Sequence, residues 1–170
     1  MTSAASILRD TRGAVAAEMA LILPMLLALT FMMLEGAAFA WNEHKVIMGV
    51  RDAARYAGRL DFSNFVTQSG GTYTCPATVP AGVVTQIKNI ARTGQISGGN
   101  ARISGWVDSD VTVTVSCTAA TGGLYAVVGG NAPKVKVSAN VLYPSLVGST
   151  LGFSTSMRIG GAAESPVMGL

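Results

Sequence analysis

The sequence is poor in charge. Asp, Glu, Lys and Arg make up 12% of its 170 residues, about half the usual quarter, so it does not read as an ordinary cytosolic enzyme domain. Disorder is excluded from the other side, because 49% of the residues are hydrophobic and the mean hydropathy is +0.44, whereas disordered chains combine low hydrophobicity with high charge. Histidine is nearly missing. The single one, His44, leaves no Ser-His or Cys-His pair for nucleophilic catalysis. With only two cysteines, Cys75 and Cys117, and no CxxC spacing, a metal site lacks ligands. No Gly-Lys-Ser phosphate loop is present, and the pairs Gly98-Gly99, Gly122-Gly123 and Gly129-Gly130 precede no suitable helix, so they read as loop tips. Asp108-Ser109-Asp110 opens like a calcium loop but lacks the following Gly and the closing Glu, and reads as a solvated turn. The net charge is +3 and the pI about 9.1, yet the basic residues do not cluster with the few aromatics, which is no nucleic-acid footprint. The expectation is a protein without catalysis, cofactor, metal or nucleic-acid partner.

Long apolar runs, by contrast, are present. Met19 to Leu34 reads MALILPMLLALTFMML without a charge, and Ala14 to Ala17 and Gly36 to Trp41 extend it. With these flanks the segment reaches the roughly 20 apolar residues that cross a bilayer as a helix. Pro24 interrupts the helical hydrogen-bond ladder and predicts a kink, which neighbouring helices tolerate in a membrane. Ahead of the run lies MTSAASILRDTRG, whose Arg9 and Arg12 hold the N-terminus in the cytoplasm. The other flank is basic too, with Lys45, Arg51, Arg55 and Arg59, and charge alone does not orient the span. The cysteines bear on this. Cys75 and Cys117 read as a disulfide, with two unbridged buried thiols as the alternative. A bridge would close a loop worth about 4 kcal/mol in the chain-entropy model and would place the C-terminal part outside the cytoplasm.

Beyond Trp41 the apolar positions become periodic. Val46, Ile47, Val50, Ala53, Ala54, Ala57 and Leu60 share one helical face, while Lys45, Arg51, Asp52, Arg55 and Arg59 fill the other. The helix is therefore expected to run on out of the membrane to Leu60. Asp61 to Gly82 is turn-rich. Val83, Val84, Ile87, Ile90 and Ala91 predict a short amphipathic helix stopped by Gly94. Three alternating segments predict strands: Val111 to Cys117, Val135 to Tyr143, and a last one through Phe153, Thr155, Met157 and Ile159, after which the chain is expected to fray. The fold class is α+β, a long N-terminal hydrophobic stem helix with a small antiparallel sheet head. The expected organisation is a leader at 1–13, a transmembrane half of the stem at 14–41, an amphipathic half at 42–60 and an extracytoplasmic head at 61–170.

Two processing sites compete. Ala38-Phe39-Ala40 fits a secretory signal cut before Trp41, but the apolar stretch is too long and contains Pro24 and Glu35. The other junction is Gly13-Ala14-Val15-Ala16-Ala17-Glu18, a basic leader ending in Gly with a lone carboxylate five residues later inside an apolar helix. The string RGAVAAEMALILP, from Arg12 to Pro24, resembles the TadE-like minor pilins, or pseudopilins, of the tight-adherence (Tad or Flp) pilus system, and the block RDAARYA, from Arg51 to Ala57, is similar to theirs. The resemblance covers about the first sixty residues well and the rest loosely.

The resemblance implies a pilin-like fold, cleavage between Gly13 and Ala14 by a prepilin peptidase, and a role in pilus assembly and surface adhesion. It also implies a partner for Glu18: the ammonium that cleavage frees on Ala14, in the same chain or a neighbour. A carboxylate in apolar surroundings is expensive unless it is paired; solvation of Glu18 at headgroup level is the alternative. Pro24 is a usual feature of such stems. The implied partners are the prepilin peptidase, other major and minor pilins, the Tad pilus assembly platform and the lipid bilayer. The location would be the bacterial inner membrane, single-pass with the N-terminus cytoplasmic, and after assembly the cell surface or pilus. The rival reading is an uncleaved single-pass protein whose outer domain binds a ligand through loops 94–105 and 118–133.

Overall fold

The computed structural model describes residues 11–120, 122–151 and 156–169. Helix α1 runs unbroken over Thr11–Gly58. Its composition explains this, because Ala, Leu and Met, all strong helix formers, dominate it. Pro24 lies inside it and withholds one N–H from the ladder. The Thr30 hydroxyl, in the middle of the apolar run, donates to the Leu26 carbonyl one turn earlier at 2.8 Å, which satisfies it without leaving the helix.

The chain divides into two compact units, Met1–Ala38 and Phe39–Leu170. The described part of the first is helix alone, exposed at every residue from Gly13 to Leu34.

In the second unit the rest of α1 buries Val46, Gly49, Val50, Ala53, Ala54, Ala57 and Gly58, the three-and-four spacing of one face. Small residues let its neighbours come close. A methyl group on Gly49 would overlap the Ala91 carbonyl oxygen, and one on Gly58 would overlap the Ser165 hydroxyl and approach the Pro166 carbonyl. After α1, a 3-10 turn at Phe62–Asn64 buries Phe62. The segment read as turns then forms a small hairpin, β1 (Thr67–Ser69) and β2 (Thr72–Thr74). Gly70 and Gly71 make its tip with φ of 58° and 81°, where a side chain would be strained.

Helix α2, Ala81–Thr93, buries Ile87, Ile90 and Ala91. It stops where the sequence requires: Gly94 adopts φ 78° and its N–H donates to the Ile90 carbonyl at 2.9 Å. Strands β3 (Val111–Ala119), β4 (Asn131–Leu142) and β5 (Arg158–Pro166) form one antiparallel sheet in the order β3-β4-β5, with a short helix α3 (Leu146–Leu151) between the last two. The register sets Val113 opposite Val137 and Val141 opposite Ile159. Val135, Val137, Ala139, Val141 and Ile159 thus face one way, into a single core with the small face of α1, α2, Phe62, Phe65 and Trp106.

The C-terminal expectation is corrected. The last strand is not an alternation from Phe153 ending at Ile159; Phe153 and Thr155 lie outside the described residues, and β5 occupies 158–166. Gly160-Gly161, which suggested fraying, sits in extended backbone opposite Asn140 and Ala139. The missing side chain at Gly161 has a packing reason: a Cβ there would stand 3.2 Å from Val46 Cγ1. Beyond β5 the chain is still tied, with Val167 N–H donating to Pro133 O at 2.9 Å and Met168 N–H to Gly58 O at 2.8 Å. The latter bond satisfies a carbonyl at the end of α1 that the helix itself leaves open. A long N-terminal apolar helix followed by small antiparallel sheets is the α+β, pilin-like layout.

Candidate functional site

The apolar stretch of α1 is the most unusual surface of the chain. Thirteen large apolar side chains between Val15 and Leu34 are exposed, from 48% at Leu27 to 76% at Leu21. Water-soluble monomers do not leave such a continuous apolar surface open. Covering about half of each side chain is worth roughly 10–20 kcal/mol in total. By length and composition α1 can cross a membrane.

The expected junction residues all lie on this helix. The Gly13–Ala14 bond falls in the first turn of α1, where backbone N–H groups have no intrahelical acceptor, and, apart from its chain neighbours and the helix's own backbone, no described atom comes within 4 Å of a Cβ placed on Gly13. Ala14 and Glu18 are four residues apart, hence on one face. Glu18 is exposed and has no ion pair among the described residues. Pro24 sits six residues further on.

Cys75 and Cys117 are joined by a disulfide, with their Cα atoms 5.9 Å apart. The bridge ties the segment after the β1–β2 hairpin to β3, across 42 residues of sequence. The loop after α2 is held as well. Arg102 donates to Asp52 Oδ2 at 2.8 Å and its backbone N–H to Arg92 O at 2.7 Å, while Ile103 and Trp106 are buried. Arg92 pairs with Asp108, and Arg158 with Asp110 at 2.8 Å while also donating to Asn140. The Asp108-Ser109-Asp110 turn is therefore an anchoring point for two arginines. Among the described residues no group of three or more His, Cys, Asp or Glu is placed to hold a metal ion.

Sequence reasoning missed how the acidic side chains are used. Because Asp52, Asp108, Asp110 and Glu164 are paired to Arg102, Arg92, Arg158 and Lys136, Arg51, Arg55 and Arg59 are left exposed without a carboxylate partner among the described residues. Arg55 and Arg59 line two grooves. One, about 410 Å³, is completed by Gly58, Ser165, Met168 and Gly169; the other, about 290 Å³, by Asp52, Tyr56, Ile90, Gly94 and Ile96. The four-residue spacing of the arginines was visible in the sequence, but the pairing that leaves them over is tertiary.

Residues 13–55 match the sequence model of the family described as TadE-like protein. No curated protein and no solved structure matches the chain significantly. The matched stretch begins at the glycine of the junction and ends inside α1. The likeness to TadE-like proteins is thus one of this segment, about a quarter of the chain.

Proposed function

We propose that the chain is a minor pilin, or pseudopilin, of a Tad pilus, made as an inner-membrane precursor and cleaved between Gly13 and Ala14 by a prepilin peptidase. The observation that carries this reading is the coincidence of the TadE-like match with an exposed apolar helix from Gly13 onward. Before assembly, lipid covers the thirteen apolar side chains; in the assembled pilus, the apolar helices of neighbouring pilins replace it. Cleavage frees an ammonium on Ala14, and Glu18, one turn along on the same face, accepts it within the chain or offers its charge to the next subunit. Either pairing offsets the cost of keeping a carboxylate in apolar surroundings. The disulfide supports an extracytoplasmic location for the second unit, since such bonds persist in oxidising compartments. The N-terminus is then cytoplasmic, and the second unit is available for contact with other pilins, the assembly platform and surfaces to which the pilus adheres.

Intact mass and N-terminal sequence of the protein from its native host test this directly. A chain beginning at Ala14 is expected, and Gly13→Leu is expected to leave the precursor uncleaved. A chain beginning at Trp41, or one keeping its leader, refutes the reading, as does normal processing of the Gly13→Leu variant.

A further inference from the structure

The arginines left over by the ion-pair network point to a partner, independently of pilus assembly. Arg51 and Arg55 stand four residues apart on the exposed side of α1, a step of about 6 Å along the axis, and the exposed Arg59 follows in the turn just past its end, with its N–H donating to the Tyr56 carbonyl at 3.0 Å. Like charges at a four-residue helical spacing repel one another, and none of the three arginines has an ion pair among the described residues. The neighbouring Asp52 is engaged by Arg102 at 2.8 Å. The grooves that Arg55 and Arg59 line carry exposed apolar side chains as well, Met168 at 60% and Ile96 at 50% exposure. Arginine set among methionine and aliphatic side chains is the composition of a protein interface.

We propose that this row is a docking surface for a different protein, one that presents Glu or Asp at four-residue spacing on a helix lying along α1. Guanidinium groups bind carboxylates through two parallel hydrogen bonds, and the 6 Å step of one helix matches that of another. A second copy of this chain does not supply that spacing, because Asp52, Asp108, Asp110 and Glu164 are already paired and no two of Glu18, Glu35, Glu43 and Asp61 stand four residues apart. A single-stranded nucleic acid would call for exposed aromatic faces to stack on, whereas the one aromatic residue in the grooves, Tyr56, is half-buried with its hydroxyl donating to Gln86 Oε1 at 2.9 Å.

The test uses the full chain in phosphatidylcholine nanodiscs and a fluorescent helical peptide with Glu at every fourth position, against the same peptide carrying Gln. Anisotropy is expected to show binding of the Glu peptide that weakens with salt, and binding of the Gln peptide at least tenfold weaker. The R55Q/R59Q variant is expected to lose about tenfold in affinity, the triple variant with R51Q more, and Arg→Lys at both positions to recover part of it. Wild-type circular dichroism and melting temperature establish that the variants fold, and R51Q alone provides a milder second measurement. Equal binding of the two peptides, or unchanged affinity in folded R55Q/R59Q, overturns the proposal. Arginine-dependent binding of phosphatidylglycerol vesicles without peptide binding also overturns it, in favour of a lipid surface.

Discussion

Replacing Gly49 by Ala isolates the close approach of α1 to α2. On helix propensity alone the change stabilises, by about 1 kcal/mol. The space around it says otherwise. A methyl group at Gly49 would overlap the Ala91 carbonyl oxygen and stand 3.0 Å from the buried Trp106 ring. The carbonyl belongs to the backbone of α2 and the ring is fixed in the core, so neither obstacle swings aside as a flexible side chain would. Overpacking of this kind costs 1–3 kcal/mol, and two rigid walls place this site near ~3 kcal/mol. The net loss is then about 2 kcal/mol, which for a unit of this size lowers the melting temperature by roughly 8 °C. Thermal unfolding of the full chain in detergent, followed by tryptophan fluorescence, measures it. Gly36→Ala is the control, because apart from its chain neighbours and the helix's own backbone no described atom lies within 4 Å of a Cβ at that position, and it should melt no lower than wild type. A Gly49→Ala protein that melts at or above wild type refutes the packing argument.

Glu18→Ala is expected to insert in the membrane normally but to impair surface piliation, read by electron microscopy of the host; wild-type pili in that strain would count against the pairing of Glu18 with Ala14. Replacing both Cys75 and Cys117 by Ser should lower stability by about 4 kcal/mol, from the entropy of the loop the disulfide closes, and denaturant unfolding of the reduced wild type should show the same shift; a loss below about 1 kcal/mol refutes that account. Asp61 is held below its ordinary value by hydrogen bonding to Ser63, first through the side chain and then through the backbone N–H. A carboxylate with a lowered folded-state pKa contributes stability that is complete above the unfolded value and is lost as pH falls through the folded one. Acid unfolding of Asp61→Asn should therefore lack a small step below about pH 4 that wild type shows; identical acid profiles would remove Asp61 from the account.

What could be read from the sequence follows from how local each signal is. The small face of α1 and the end of α2 at Gly94 rest on spacing and on one residue's backbone freedom, and both appear where the pattern puts them. Most of strands β3 and β4 was legible because apolar residues alternate with polar ones from Val111 to Cys117 and from Val135 to Val141; the first four residues of β4, Asn131 to Lys134, carry no such signal. Strand β5 was not, since RIGGAAESP offers one large apolar side chain, Ile159, and a glycine pair that locally favours a turn. Its conformation is dictated by β4 beside it and by Val46 across from Gly161, neither of which is close in sequence. Phe62, Phe65 and Trp106 enter the core from segments read as turns or loop for the same reason. The junction residues show the opposite imbalance. Gly13, Ala14, Glu18 and Pro24 were singled out by local pattern and by the resemblance it carries, and their described surroundings consist of one exposed helix. Their meaning therefore depends on molecules outside the chain. If lipid covers α1 before assembly and pilin helices cover it afterwards, the same apolar surface must suit both. An all-round apolar helix meets that demand, with its charge confined to Glu18 and Glu35 between Gly13 and Ala38, because it has no face that fixes a single partner. On the proposed reading, specificity would then rest on charged residues: Glu18 near the start of α1, and Arg51, Arg55 and Arg59 at and just past its end.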